Sequence, residues 1–204
     1  MLARTLTRLA LSLAAMIAAL AAIGLALAQS PLTPTGTYTY PGAAPCDTTL
    51  QACLDGLSAG DVLNILPGEY TATLTLSKAV SLIGAEPALP TVLIAPNSQR
   101  VLSISGPTVN NSVVISGLHI VGGDLTGGNK CPANCGGGIY IYDGAWPTLA
   151  NLVITGGHAY QGGGLYIDQT GQAQGAITIA HSQIISNSAV DSGGGLYLSA
   201  GTVT

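Results

Sequence analysis

The sequence predicts an all-β solenoid, in which short strands stack on one another as successive coils. Three observations indicate this fold. The pentapeptide GGG(I/L)Y occurs three times, at residues 136–140, 162–166 and 193–197. A nonapeptide typified by ISGLHIVGG begins at residues 115, 149 and 179, so both motifs return after roughly 30 residues, the length of one solenoid repeat. Within each motif the side chains alternate as they do in strands.

A secretory signal peptide is predicted over residues 1–28. MLARTLTR is basic, the apolar run from Leu9 to Ala28 follows it, and Ala26-Leu27-Ala28 resembles a signal-peptidase site. We expect a secreted or cell-surface protein, with no membrane insertion after cleavage. An uncleaved anchor is the alternative, because the apolar run is about as long as a bilayer-spanning helix.

The charge of the remaining chain narrows the range of partners. Only Lys78, Arg100 and Lys130 remain against nine acids, which gives a net charge of −6. The chain therefore has neither a basic stripe for a nucleic-acid backbone nor a polybasic patch for anionic lipid. We expect no nucleic-acid partner.

A short capping helix is predicted at residues 47–58, after an extended segment over residues 29–46. Asp47 is a candidate N-cap. An i, i+3, i+4, i+7 apolar stripe follows it, formed by Leu50, Cys53, Leu54 and Leu57. Such a helix before a run of strands can cover the open first coil of a solenoid.

The strands after the helix fit about five coils of roughly 28 residues each, from residue 61 to residue 204. Glycine at the corners permits positive φ and close approach of neighbouring coils. The repeats place Leu196 over Leu165 over Ile139 inside. The chain stops within a strand, so we expect further coils beyond Thr204, or end-to-end stacking with a partner, to cover the last coil.

The four cysteines form two local pairs, and an oxidising compartment favours two disulfides. Cys131 and Cys135 flank a proline turn that is easily closed. Cys46 and Cys53 can be bridged only if the chain before the helix folds back along it, because two helical turns rise roughly 10 Å. Neither spacing is C-x-x-C, so we predict no metal site, and we predict no cofactor.

A leucine-rich repeat is the alternative fold. LANLVITGG and ISGLHIVGG come close to its L-x-x-L-x-L-x-x-N core, but HAYQGGGLYIDQTG follows where that family usually has a helix.

The segment LQACLDGLSAGDVLNILPGEYTATLTLSKAVSLIGAE resembles the first part of right-handed parallel β-helix proteins of the pectin-lyase-like superfamily. IISNSAVDSGGGLYL more loosely resembles the repeats of polymorphic outer-membrane proteins, with Ile184 in place of Phe and Gly195 in place of Ala.

The superfamily resemblance implies a search for polysaccharide lyase or hydrolase chemistry. Such lyases hold Ca²⁺ with carboxylates and abstract a proton with Arg or Lys, whereas a hydrolase needs two or three close carboxylates. The candidates are Asp143, Asp168 and Asp191, which recur near the glycine corners, where Asp usually serves the turn itself. The three histidines occupy different positions in their coils, so no histidine metal site is predicted.

Three outward tyrosines are the candidate ligand-binding residues. Tyr140, Tyr166 and Tyr197 occupy matched positions, flanked by Tyr142 and Trp146, and exposed rings can stack on sugars. A tyrosine ladder that stabilises the coils is the alternative. The expected function is an exported, non-catalytic scaffold or adhesin that contacts polysaccharide or cell-surface glycan. The alternative is a polysaccharide lyase or glycoside hydrolase.

Overall fold

The computed structural model of the protein describes residues 36–85, 89–170 and 175–204, with one helix and 19 strands among them. The predicted signal peptide and residues 29–35 lie outside the described residues. All strand pairs in the described part are parallel. The prediction of an all-β fold is confirmed at this level. No helix among the described residues is long and apolar enough to cross a membrane.

The strands form four sheets, numbered here 1 to 4. Sheet 1 contains, in spatial order, β1 (Thr37–Tyr40), β2 (Val62–Ile65), β5 (Ser81–Ile83), β8 (Val114–Ser116), β12 (Thr148–Ala150) and β16 (Thr178–Ala180). Sheet 2 contains β3 (Gly68–Thr71), β6 (Thr91–Ile94), β9 (Leu118–Val121), β13 (Val153–Thr155) and β17 (Gln183–Ile185).

The two remaining sheets complete each repeat. Sheet 3 contains β4 (Leu74–Leu76), β7 (Leu102–Ser105), β11 (Ile139–Tyr142), β15 (Leu165–Asp168) and β19 (Leu196–Ala200). Sheet 4 contains β10 (Asp124–Leu125), β14 (His158–Gln161) and β18 (Ser188–Ser192).

The chain visits the sheets in the same order five times. From β2 onward it passes from sheet 1 to sheet 2 and then to sheet 3, and in the last three passages it enters sheet 4 before sheet 3. Each strand therefore pairs with its counterpart from the neighbouring passage. The stretch that would be helical in a leucine-rich repeat forms β14 and β15 instead.

The repeated motifs are hydrogen-bonded partners, in the register that the sequence predicts. Leu165 pairs with Ile139 on one side and with Leu196 on the other. These partners are 26 and 31 residues apart, the spacings of the glycine motifs. The register prediction is confirmed, with like residues stacked on like.

The core consists of ladders of apolar residues that face inward from each sheet. The ladder of sheet 3 runs through Leu74, Leu102, Ile139, Leu165 and Leu196. The first four are at most 1% exposed, whereas Leu196 is 38% exposed. The difference arises because β19 is the last strand of its sheet, as β16, β17 and β18 are of theirs. The expectation that further coils or a partner cover this edge stays a prediction.

A short helix lies at the opposite end, where the predicted capping helix was placed. Helix α1 (Leu50–Gly56) begins later than predicted, because the hydroxyl of Thr49 rather than the carboxylate of Asp47 accepts the Ala52 N–H, at 3.1 Å. The apolar stripe is confirmed, since all four of its residues are at most 4% exposed. Lys78 Nζ donates to the carbonyls of Asp55 and Leu57 at the helix end, at 2.7 and 2.6 Å.

Both predicted disulfides, Cys46–Cys53 and Cys131–Cys135, are formed. The first requires the chain before α1 to fold back along the helix. Pro45 lies so close to Gly56 that a Cβ at this glycine would be 2.6 Å from the Pro45 Cβ. The chain therefore does run back along the helix, as the spacing of these cysteines requires.

The glycine triplets serve two different needs of the backbone. The first glycines of the three triplets, residues 136, 162 and 193, have φ of 67°, 60° and 66°, in the left-handed region. At Gly163, a Cβ would lie 2.0 Å from the Ser188 carbonyl oxygen and 2.6 Å from that of Gly194. The first position therefore needs glycine for its φ, and the second for the close approach of the next coil.

We predict that Gly163→Ala destabilises the protein by roughly 1–3 kcal/mol, the usual cost of overpacking. Gly127→Ala is the matched control, because a Cβ there meets nothing within 4 Å, and its effect should stay within about 0.5 kcal/mol. Urea unfolding followed by circular dichroism measures both changes. Equal stabilities of the two variants would contradict the close approach of the coils.

Candidate functional site

The candidate tyrosines lie in register on the face of sheet 3 that points away from the main core. Tyr166 pairs with Tyr140 and with Tyr197, and neighbouring ring centroids are 5.3 Å apart in both pairs. Their apolar contacts form a second, smaller cluster that is separate from the main core. The predicted alternation, with Leu165 and Ile167 inside and Tyr166 on the other face, is therefore correct.

These rings do not form an open aromatic strip. Tyr140 and Tyr166 are each only 4% exposed, because Cys131, Cys135 and Tyr160 pack against the same cluster. The disulfide loop and Tyr160 of β14 together thus cover the outer face of β11 and β15. Tyr197 on the last strand is half-buried. The arrangement corresponds to the stabilising tyrosine ladder rather than to rings that are free to stack on sugars.

Arg100 fastens the disulfide loop to this face. Its guanidinium lies over the Tyr140 ring, 4.7 Å from the centroid. It donates from Nε to the Gly136 carbonyl at 2.8 Å and from Nη2 to the carbonyls of Pro132 and Cys135. Burial lowers the pKa of Arg100, while the nearby Tyr140 and Tyr142 act in the opposite direction. Arg100 therefore has a structural role at the loop, not a place beside the candidate carboxylates.

Two of the three candidate carboxylates meet in one shallow depression of about 370 Å³, just beyond the carboxyl ends of β11 and β15. It is lined by Tyr140, Tyr142, Asp143, Asp168 and Thr170. Tyr142 is half-buried and stacks on Tyr140, with centroids 4.5 Å apart and planes at 9°. The depression thus offers an accessible ring next to two acids.

Asp168 is held in place by a local turn. Its Oδ1 accepts from the Thr170 N–H at 3.0 Å and from the Thr170 hydroxyl, while Oδ2 accepts no hydrogen bond from the described residues. Asp143 is exposed and has φ of 53°. The Asp168 carboxylate is therefore fixed, with one oxygen available to a ligand.

Asp191 lies elsewhere. It accepts from Gln161 Nε2 at 2.8 Å, between β14 and β18 of sheet 4, and it does not line the depression. Its offset in the repeat, which differs from that of Asp168, is the reason. Trp146 also lies apart, packed against the main core. Sequence reasoning missed Thr170, although Asp-x-Thr is a local signal for this turn.

Among the described residues, no group of three or more His, Cys, Asp or Glu side chains is placed to hold a metal ion. Neither Arg100 nor Lys78 lines the depression. No protein-family model, curated protein or solved structure matches the chain.

Burial, reinforced by the charge of Asp168, raises the pKa of Tyr140 to about 12. Because the neutral phenol is the form that the fold favours, its stabilising contribution is complete below the ordinary tyrosine pKa of about 10. It is lost as pH rises from there to about 12.

We therefore predict that Tyr140→Phe removes a late step from the alkaline titration followed at 295 nm. The variant should also lose less of its stability than the wild type between about pH 9 and pH 11, as measured by urea unfolding. An unchanged titration above about pH 11 in this variant would contradict the burial of the Tyr140 hydroxyl.

Proposed function

We propose that the protein is an exported right-handed parallel β-helix scaffold that contacts glycans at the cell surface or outside the cell. The exclusively parallel pairing of the described strands and their fixed order through the sheets support the β-helix. The right-handed sense follows from the strong preference of parallel crossovers. The resemblance of the first coils to the pectin-lyase-like superfamily supports the same fold.

Export is supported by the leader sequence and by the cysteines. The described residues contain no free cysteine, and structural disulfides are typical of oxidising compartments. The basic start, apolar run and Ala26-Leu27-Ala28 site are those of a cleaved signal peptide.

The depression beside Tyr142 is the observation that carries the glycan proposal. An aromatic ring offers an apolar face to the C–H groups of a sugar. Carboxylate oxygens accept hydrogen bonds from sugar hydroxyls, and Asp143 and Asp168 place such oxygens beside the ring. The contact is thus assigned to Tyr142 and its neighbours, not to the covered rings of Tyr140 and Tyr166.

We predict that polysaccharide incorporated in a native gel retards the protein, and that Tyr142→Ala or Asp168→Asn abolishes the retardation. Tyr142→Phe keeps the ring and should retain most of it. Asp47→Asn is the control for Asp168→Asn. It removes the same charge at an exposed position that precedes α1 and does not line the depression.

Gels with several neutral and acidic polysaccharides make up this test. Absence of retardation in all of them, or retardation that Tyr142→Ala leaves unchanged, would contradict glycan contact at the depression. Circular dichroism of each variant establishes that the fold is intact.

The alternative function is a polysaccharide lyase or glycoside hydrolase, favoured by the meeting of Asp143 and Asp168 in one depression. Glycoside hydrolysis uses a pair of carboxylates. This alternative predicts release of reducing ends, or of unsaturated sugars, from a retained polysaccharide, and loss of that product in Asp143→Asn and Asp168→Asn. Retardation without product would favour the scaffold.

A further inference from the structure

A second concave surface lies at the corner where the chain passes from sheet 1 to sheet 2. Three successive strands of sheet 1 end there, and each passes to its partner strand in sheet 2 through a residue in the left-handed region. These residues are Gly117, Asn151 and His181, with φ of 68°, 51° and 51°. They line a groove of about 230 Å³ together with His119 and Gln183. Equivalent corners of three coils thus build one groove.

The groove brings together two histidines that are 62 residues apart in the sequence. His119 lies on β9 and pairs with Val153 of β13, which in turn pairs with Gln183 of β17. His181 precedes β17 by two residues. The three histidines occupy different positions in their coils, as the sequence predicts, and yet two of them line one groove. A corner residue and a strand residue two coils away line the same groove.

The polar groups of the groove have few partners among the residues that the structure describes. The rings of His119 and His181 and the amide of Gln183 make no hydrogen bond to any residue that the structure describes. Asn151 Nδ2 donates to Ser116 Oγ at 3.3 Å, and its side-chain oxygen accepts no hydrogen bond from the described residues. His158, the third histidine, differs because it lies 4.0 Å from Asp124. The groove thus combines amide oxygens with two imidazoles that have no partner in the described part of the chain.

The backbone at residue 181 fits the repeating corner. Left-handed φ is uncommon for residues other than glycine, and asparagine, aspartate and histidine are enriched among those that adopt it. The three corners use such residue types, Gly117, Asn151 and His181. The corner thus fixes the position from which His181 lines the groove.

We propose that this groove binds a divalent transition-metal ion of the zinc class through the imidazoles of His119 and His181. Neutral imidazole is a preferred ligand of Zn²⁺. The amide oxygens of Asn151 and Gln183, or water, complete the coordination. The ion connects β9 with the corner that precedes β17. These two strands are not neighbours in sheet 2, because β13 lies between them. The ion therefore links three successive coils. This site is separate from the proposed glycan contact and does not depend on it.

The experiment uses the untagged protein and ZnCl₂, with the imidazole signals of the three histidines followed by NMR. The signals of His119 and His181 should shift together and saturate at one equivalent, while His158 stays unchanged. Bound zinc should also raise the melting temperature, because it binds only the folded chain. His119→Val, which copies the neighbouring Val153, and His181→Asn, which copies Asn151, should each weaken binding at least tenfold.

His158→Ala is the matched control, and it should bind zinc as the wild type does. His181→Asn keeps the left-handed corner, so its loss of zinc binding cannot be attributed to misfolding. Three outcomes overturn the proposal: absence of saturable binding, equal shifts of all three histidines, or unchanged affinity in His181→Asn. Retardation of His181→Asn in polysaccharide gels is expected to be normal, which separates this site from the glycan contact.

Discussion

Backbone hydrogen bonding between equivalent strands of successive passages is the constraint on which the rest of the structure depends. Parallel strands lie about 4.8 Å apart, so whatever a coil presents at a given position must fit directly against the same position in the next coil. Gly137 and Gly163, the second glycines of the first two GGG motifs, meet this requirement, because a Cβ at either would lie no more than 2.6 Å from a carbonyl oxygen of the next coil. At Gly163 the next carbonyl oxygens leave no room for a side chain.

The same constraint produces the apolar ladders and explains why burial differs along each ladder. Inside, Leu74, Leu102, Ile139 and Leu165 are covered at both sides of each rung and are almost completely buried. Helix α1 covers the first coil, whereas the outer edges of β17, β18 and β19 have no described strand on them. The outer edge of β16 pairs only with residues 202–204. Leu198 is consequently 40% exposed, although its counterpart Ile167 is fully buried. Burial at a given ladder position therefore depends on what covers the coil.

On the outer face of sheet 3, stacking alone would leave the tyrosines exposed. The loop closed by Cys131 and Cys135 changes this, because Arg100 holds it against Tyr140 through three backbone carbonyls. Among the tyrosines of sheet 3, accessible ring surface is then confined to Tyr142 and Tyr197. The proposed glycan contact is therefore placed at Tyr142, which lies beside Asp143 and Asp168 at the ends of β11 and β15.

The features that repeat in the sequence could be predicted, and those that join different repeat positions could not. Spacings of 26 and 31 residues predict that Leu165 lies between Ile139 and Leu196, because identical motifs pair in register. The apolar stripe of α1 and both disulfides also follow from local spacing. The cover that Arg100 places over the tyrosines depends on a contact across 36 residues. The groove lined by both His119 and His181 likewise combines a strand position with a corner position.

Spin labels on the outer face of sheet 2 test the stacked arrangement most directly. Glu69 and Gln183 are 114 residues apart in the sequence, yet successive pairings through Val92, His119 and Val153 place them four strand spacings apart. With Cys at these two positions and the native disulfides intact, double electron–electron resonance should give one population near about 20 Å, from four steps of about 4.8 Å. A broad distribution, or a distance above about 35 Å, would contradict the stack of parallel coils.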